Sequence, residues 1–296
     1  MYSPFPYDRL PSKNEFFGRQ EELENLSKIV NYSNNALIYS KRRMGKSSLI
    51  KALYEKYDKE YICLYTDIFD ITSKEDFISS LLKSLANYNK KFDLKNAIKN
   101  LTSLFKRVRF EPTIDANTLE YSIKPNITSL TFEDMIEDFF NSLEQLSKTS
   151  KIIIAIDEFQ QIANITDTKI DAILRKYIQN RTNISYIFLG SKRHILTSLF
   201  EYKAPLYEMA THIELKALRL EDIFDYAKKH IDISFEMCEY LYILSDKETK
   251  LIQQILHLLY ISKTTISSRE QIDLAFEEVI NSKDSSYRLL FDTLGN

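Results

Sequence analysis

The triplet Gly45-Lys46-Ser47 lies between a short apolar run and an amphipathic segment. The apolar run covers residues 36–39, and apolar residues recur after the triplet at Leu49, Ile50 and Leu53. This pattern predicts a strand, a loop and a helix in succession. Free backbone N–H groups at the start of such a helix point at an anion, and the helix dipole adds partial positive charge. The chemistry that these residues indicate is the binding of phosphate groups.

Each residue type in this loop has a predicted task. The Lys46 ammonium reaches the terminal phosphates of a nucleoside triphosphate, and the Ser47 hydroxyl ligates Mg²⁺. Gly45 lets the backbone approach the phosphate, because a side chain there would hold it away. The rest of the predicted phosphate cradle consists of Ser40, Arg43, Met44 and Ser48.

The loop departs from the Walker A pattern at one position, because Ser40 stands where that pattern has glycine. Serine is small and fits a strand-to-loop turn, so we interpret the motif as weakened but retained. The alternative is an ordinary helix start that carries Gly-Lys-Ser by chance. A second motif later in the chain decides between the two.

That second motif is an apolar run, residues 152–156, which ends in Asp157 and Glu158. It predicts a strand buried on both faces, with its carboxyl end in a cleft, as in a Walker B motif. Asp157 is the predicted Mg²⁺ ligand, and Glu158 the base that orients and deprotonates the attacking water. A buried strand that runs into a solvated acidic turn is the alternative, but the preceding phosphate loop favours Walker B.

A third candidate is Ser191, which follows a predicted buried strand, residues 184–189, and Gly190. If this strand lies between the Walker A and Walker B strands, its polar end contacts the γ-phosphate or the lytic water as a sensor. The predicted catalytic residues are therefore Lys46, Glu158 and Ser191.

The surrounding elements indicate an α/β protein with a five-stranded parallel sheet, helices on both faces and a smaller helical domain after it. The pattern predicts the last strand over 211–218, and only helices follow, among them one at 269–281 and a final turn at 287–294. We expect a nucleotide-binding domain at 1–218 and a helical lid domain at 219–296. A basic segment and a hairpin, at about 83–125, are predicted to be an insertion in the first domain.

Composition excludes several classes of protein. The net charge is −2 and the isoelectric point is about 6.2, so the whole chain has no nucleic-acid footprint. Cys63 and Cys238 both lie in apolar patterns, which favours reduced, packed thiols. No basic-then-apolar leader or run of about 18 apolar residues occurs, so we expect a cytoplasmic protein. Of only four glycines, Gly18, Gly45 and Gly190 fall at predicted site turns.

Taken together, five segments resemble the archaeal-type ATPases, a branch of the P-loop ATPases related to the AAA+ and STAND classes. They are residues 16–23, the loop 40–49, the strand end 156–160, the triplet 189–191, and residues 205–215. The resemblance covers roughly residues 4–260. It implies ATP as the nucleotide and an ASCE-type sheet with a helical lid. It also implies that Phe17, Gly18 and Arg19 lie near the adenine.

Two departures from that family bear on hydrolysis. Met209 stands where the family has an arginine, so the arginine finger is missing. The lid reads Asp-Lys-Glu-Thr over 246–249, where the family has a Gly-Pro turn. We therefore expect a low intrinsic rate. Replacement arginines are Arg193 in the same chain, or Arg175 and Arg181 from a neighbouring copy, although solvated surface is the alternative for all three.

Three functions agree with the sequence. The first is a Mg²⁺-dependent ATPase that acts as a molecular switch, with a protein partner or self-assembly. The second is a scaffold that binds ATP or ADP with negligible hydrolysis. The third is a nucleic-acid-binding module with a regulatory nucleotide site, suggested by eight basic residues and one acid over 83–109. Against the third, residues 219–296 hold nine basic and fourteen acidic residues.

Overall fold

The computed structural model describes residues 3–89, 94–114, 121–127, 129–179, 182–263 and 265–294. The chain divides into two compact units. The helical unit is formed by Met1–Leu23, Arg42–Ala52 and Leu215–Asn296, and the sheet unit by Glu24–Lys41 and Leu53–Glu214. The division into domains at residue 218 stays a prediction.

The sheet unit is built on five parallel strands, in the spatial order β2-β5-β6-β1-β7. The adjacent inner strands β5 and β6 are buried at every residue, which requires covered faces on both sides of the sheet. Because the strands are parallel, their carboxyl ends meet at one edge. The strands are β1 (Ala36–Tyr39), β2 (Ile62–Asp67), β5 (Ile152–Asp157), β6 (Ile184–Gly190) and β7 (Thr211–Glu214).

A separate antiparallel hairpin pairs β3 (Arg109–Ile114) with β4 (Tyr121–Asn126). The hairpin lies in the segment at about 83–125, and its predicted turn, at 116–117, lies outside the described residues. That these residues form an insertion in the first domain stays a prediction. The basic segment before it contains α4 (Leu94–Leu104), whose apolar face includes the buried Leu101.

Helices alternate with the strands and then continue alone. Side chains at buried positions of α3 and α5, such as Phe77 and Phe139, pack in the apolar core around the sheet. A capping box at Thr131 and Asp134 begins α5. The helices are α1 (Gln20–Asn31), α2 (Lys46–Tyr57), α3 (Lys74–Asn89), α5 (Phe132–Ser147), α6 (Ile170–Ile178), α7 (Arg193–Ser198), α8 (Leu220–Ala227), α9 (Phe235–Leu244), α10 (Thr249–Ser262), α11 (Arg269–Leu294), and a 3₁₀-helix at Phe159–Asn164.

The helical unit has an apolar core of its own. Side chains from α8 to α11 pack around the fully buried Phe5, whose ring meets Tyr226 edge-on at 5.8 Å. The Tyr226 hydroxyl donates to the carbonyl of Pro4. Residues 4 and 5 are thereby fixed to α8.

The predicted α/β class with a parallel sheet and a smaller helical part is confirmed, while two element boundaries differ. Strand β7 ends at Glu214, and the chain from Leu215 on belongs to the helical unit, where Leu218 packs in the apolar core. Helix α11 runs unbroken from Arg269 to Leu294, where a helix and a separate turn are predicted. Residues 282–286 contain no proline or glycine, and serine alone does not stop a helix.

Candidate functional site

The phosphate loop begins at Ser40, directly after β1. The Ser40 side chain is buried, and its hydroxyl donates to the carbonyl of Lys41 at 2.8 Å. The Ser40 amide donates to the carbonyl of Gly190 at 3.4 Å, which ties the loop to the neighbouring strand β6. The hydroxyl is therefore satisfied within the turn, so serine fits where the Walker A pattern has glycine.

The second half of the loop has the backbone that the motif requires. Arg43 and Gly45 adopt positive φ angles of 66° and 90°, and α2 begins at Lys46. A β-carbon at Gly45 would meet nothing within 4 Å, so the conformation itself favours glycine there. The space next to the Gly45 backbone is open for a ligand. Lys46 is only 7% exposed, and Ser47 and Ser48 are half-buried.

The segment that resembles an adenine-binding motif lies in the same unit as this part of the loop. The Phe17 ring stacks on Tyr226, with ring centroids 4.1 Å apart. Gly18 has a positive φ of 67° and packs against Leu218. Arg19 is 4% exposed and donates to the carbonyls of Met44 at 3.1 Å and Lys216 at 2.6 Å.

Arg19 therefore fixes the phosphate loop to two distant parts of the chain. Its Nη1 also pairs with Glu22 at 2.7 Å, while its Nη2 donates to the Met44 carbonyl. Arg43 adds a second link, since its carbonyl accepts from the amide of Lys250 at 3.3 Å. Its guanidinium lies 3.5 Å from Glu248. These contacts make Arg19 and Arg43 supports of the loop.

We expect Arg19→Ala to lower the free energy of unfolding by about 3 kcal/mol, because buried carbonyls and the Glu22 carboxylate lose their charged donor. Denaturation in urea measures the change. Arg269→Ala is the matched control: it removes an exposed ion pair with Glu236, which is worth less than about 1 kcal/mol. Equal losses in the two variants would contradict the supporting role.

The strand-end group lies at the carboxyl edge of the sheet. Asp157 ends β5 and is 6% exposed. One of its carboxylate oxygens accepts from the Glu158 amide at 2.9 Å, and the other from the Tyr65 hydroxyl at 2.7 Å. These donors fix the orientation of the carboxylate.

Glu158 follows in a left-handed backbone conformation, with φ 54° and ψ 38°. Ser191 donates to its carboxylate, with Oγ 3.0 Å from Oε2 and 3.2 Å from Oε1. Strand β6 lies between β5 and β1, so Ser191 occupies the predicted position between the Walker B and Walker A strands. The structure therefore brings Glu158 and Ser191 together.

Two residues of this edge were not predicted from the sequence. Tyr65 and Asp67 lie on β2, which pairs with β5 so that Asp67 is opposite Asp157. Burial raises the pKa of Asp67, and the carboxylates of Asp157 and Glu158 add to the increase. The sequence signal was the alternation along β2, which places Tyr65 and Asp67 on the same face.

The residue at the arginine-finger position and the candidate replacement arginines all make contacts within the sheet unit, where the structure describes them. Met209, at the finger position, packs against the apolar core of the sheet unit. The Arg193 guanidinium pairs with Glu214 at 2.9 Å and lies 4.9 Å above the Tyr39 ring. Arg175 donates to the carbonyl of Pro205 at 2.6 Å, and Arg181 lies outside the described residues.

A magnesium site at this edge fits the residues present. In the part of the chain that the structure describes, no group of three or more His, Cys, Asp or Glu side chains is arranged to hold a metal. Mg²⁺ typically uses one or two protein ligands and completes its shell with water and substrate phosphates. A single buried, oriented carboxylate such as Asp157 suits that mode. None of the described helices is long and apolar enough to cross a membrane.

Several solved structures of archaeal proteins share this fold. The Walker-type ATPase PABY2304 of Pyrococcus abyssi is 16% identical, with a TM-score of 0.67, and the match covers 98% of this chain and 80% of that one. ORC2 of Aeropyrum pernix, in its ADPNP–ADP complexes, is 12% identical, with a TM-score of 0.61, covering 93% and 70%. Cdc6p from Pyrobaculum aerophilum is 14% identical, with a TM-score of 0.56, covering 88% and 65%.

At these identities the likeness shows the fold alone. A search of curated proteins found no match. A sequence model of an ATPase domain found predominantly in Archaea matches residues 16–255, which is well over half of the chain. The chain therefore belongs to this family of archaeal-type ATPase domains.

Proposed function

We propose that the chain is a Mg²⁺-dependent ATPase that acts as a molecular switch. The observation that carries the proposal is the carboxyl edge of the sheet, where Asp157, Glu158 and Ser191 meet and where β1 leads into the phosphate loop. Family membership supports ATP as the nucleotide. Phosphate release from ATP by the purified chain, with and without Mg²⁺, tests the proposal, and absence of Mg²⁺-dependent release would contradict it.

The loop supplies binding. The backbone N–H groups from Arg43 to Ser48, at the start of the twelve-residue helix α2, attract the phosphates. Lys46 neutralises charge on the terminal phosphates, and Ser47 and Asp157 are each proposed as a ligand of the metal. Mg²⁺ at these ligands would neutralise charge that develops on the transferred phosphoryl group. The adenine-side residues are proposed to be Phe17, Gly18 and Arg19.

Glu158 supplies the base. Its carboxylate accepts from Ser191 and is only half-buried, so a water molecule has access to it. Glu158 takes a proton from the attacking water, and Ser191 keeps the carboxylate aimed during the transfer. Ser191 also reports on the γ-phosphate as a sensor in this proposal.

A scaffold with negligible turnover is the second candidate. The observations that favour it are the packing of the half-buried Met209 against the core and the pairing of Arg193 with Glu214. Neither side chain is available for the γ-phosphate while these contacts persist. An arginine at that phosphate is worth about 10³ to 10⁵ in kcat in P-loop enzymes.

We therefore expect slow turnover by the dilute chain and faster turnover where another copy or a protein partner supplies an arginine. Specific activity measured over a wide range of protein concentration checks this, because self-assembly makes it rise. Arg193→Ala should leave the rate of the dilute chain unchanged, since Arg193 is already paired. A high rate independent of concentration would show that the site is complete without a finger.

Nucleic acid is a third candidate ligand, through the basic segment 83–109. Arg107, however, pairs with Glu137 at 2.9 Å and with Asp134 at 3.3 Å, which reduces the charge it offers to a phosphate backbone. ORC1 of Aeropyrum pernix, solved in complex with DNA, shares the fold at 11% identity and a TM-score of 0.57. We propose that a protein partner is the better fit, and turnover measured with and without duplex DNA or RNA separates the two.

A further inference from the structure

Gln160 contacts the proposed base but has no part in the mechanism above. It lies two residues after Glu158, in the 3₁₀-helix, and its side chain is 3% exposed. Its Nε2 donates to Oε2 of Glu158. Its Oε1 is buried and has no hydrogen-bond partner. A buried, unpaired amide oxygen is unfavourable, so this orientation persists because of what the Nε2 end holds.

Gly190 makes room for that amide. A β-carbon built on Gly190 would overlap Oε1 of Gln160 and lie 3.0 Å from the Leu196 side chain. Gly190 does not have a positive φ, so its backbone does not require glycine. It lies at the end of a fully buried strand, where glycine weakens the structure. The chain therefore uses one of its four glycines to admit the Gln160 side chain.

The two donors bind one oxygen of the Glu158 carboxylate in preference to the other. Gln160 donates to Oε2, and the Ser191 hydroxyl is nearer to Oε2, at 3.0 Å, than to Oε1, at 3.2 Å. A hydroxyl has one proton and can serve only one oxygen at a time. Oε2 is therefore the anchored oxygen, while Oε1 keeps lone pairs for another donor.

The backbone conformation of Glu158 is strained, so its carboxylate needs contacts that hold it in place. A non-glycine residue at φ 54° is rare, and residues in such conformations persist only where the surroundings hold them. Two donors that reach Oε2 from different elements fix both the position and the rotation of the carboxylate. A base whose free oxygen must face a water molecule needs that restriction.

We propose that Gln160 is a positioning residue for Glu158: it anchors Oε2, through the space left by Gly190, so that Oε1 is the oxygen that receives the proton of the attacking water. This rests on the proposed hydrolysis of ATP. It assigns a task to a glutamine and a glycine that neither bind nucleotide nor transfer a proton.

The first test is Gln160→Met, which keeps the volume of the side chain but removes the donor. We expect kcat to fall about 10- to 100-fold, by analogy with the loss of residues that orient metal ligands. KM for ATP and the ATP dissociation constant should stay unchanged, because only the chemical step uses the anchored geometry. An unchanged kcat, or a rise in KM alone, would overturn the proposal.

The second test links Gln160 to Gly190. Gly190→Ala should lower kcat as Gln160→Met does, because the methyl group displaces the amide. In a Gln160→Ala background, Gly190→Ala should cause no further loss, since the group that it displaces is gone. Losses that multiply in the double variant would show independent, merely structural effects.

Gln161→Ala is the matched control. Gln161 is the adjacent glutamine, and its side chain accepts from Asn164 at 2.7 Å. Its variant should keep the wild-type kcat, while thermal unfolding confirms that every variant folds. If Gln161→Ala lowered kcat as much as Gln160→Met does, the loss would come from disturbance of the 3₁₀-helix, and the proposal would be wrong.

A spectroscopic measurement separates this proposal from the proposed function. In chain labelled with ¹⁵N-glutamine, one side-chain amide should move on Glu158→Ala and vanish in Gln160→Met. If the wild type hydrolyses ATP but this signal is indifferent to Glu158, the anchoring is wrong and the ATPase stands. If the signal responds but no variant or wild-type chain hydrolyses ATP, the ATPase is wrong, and the positioning role in hydrolysis falls with it.

Discussion

Lys46→Ala should abolish most of the binding of ATP with Mg²⁺. The Lys46 side chain is 7% exposed at the first residue of α2, so its charge acts on a bound phosphate with little competition from solvent. Removing one member of such a buried charge pair costs about 2 to 5 kcal/mol, and every 1.4 kcal/mol is about tenfold in affinity. We expect the dissociation constant to rise at least about 30-fold by isothermal titration calorimetry.

Lys51→Ala is the control for this prediction. Lys51 is the next lysine on α2, and its ammonium donates to the carbonyl of Pro11 at 2.7 Å. This variant loses the same charge from the same helix, so a general electrostatic effect would appear in both. Equal affinities in wild type and Lys46→Ala, or equal losses in the two variants, would remove Lys46 from the phosphate-binding role.

Glu158→Gln should retain ATP binding while kcat falls about 10²- to 10⁴-fold, which is the usual contribution of a general base. Glutamine keeps the size of the side chain and an acceptor oxygen for Ser191, but it cannot take a proton from water. Single-turnover hydrolysis, measured together with ATP affinity, distinguishes the two effects. Glu133→Gln, an exposed glutamate in the first turn of α5, should be indistinguishable from wild type.

Asp157→Asn should act on a different step. Asp157 is the buried carboxylate proposed to hold Mg²⁺, so its loss should weaken the Mg²⁺-dependent part of ATP binding while binding without metal persists. Titration with Mg²⁺ at fixed ATP reports this part alone. A Glu158→Gln chain as active as wild type, or an Asp157→Asn chain with normal metal dependence, would show that the two acids have been assigned wrongly.

The parts of the fold that were predictable are those specified by neighbouring residues. The run 36–39, the triplet Gly45-Lys46-Ser47 and the amphipathic pattern of α2 lie within about twenty residues of one another. A strand buried on both faces could be predicted at 152–157, because residues 152–156 are all apolar and only Asp157 is charged. The position of Ser191 followed once β6 was placed between its neighbours.

The parts that were not predictable depend on distant pairings. The Tyr65 hydroxyl reaches Asp157 only because β2 pairs with β5 in one particular register, and no local pattern states that register. No sequence pattern indicates a contact between Gln160 and Gly190. Their contact becomes visible only when the ends of β5 and β6 lie side by side. Likewise, the sequence shows the charge of Arg19 but cannot predict its hydrogen bond to the carbonyl of Lys216, 197 positions away.

That last bond has a consequence for biosynthesis. The helical unit is assembled from Met1–Leu23, Arg42–Ala52 and Leu215–Asn296, so two of its pieces leave the ribosome long before the third. At about 5 to 20 residues per second, the delay is roughly 10 to 30 s. During it, Arg19 has no Lys216 carbonyl to hold, and the phosphate loop lacks part of its support. We expect nascent chains to gain affinity for nucleotide only after Lys216 and the residues that follow it have been translated, so nucleotide retention would mark that stage of synthesis.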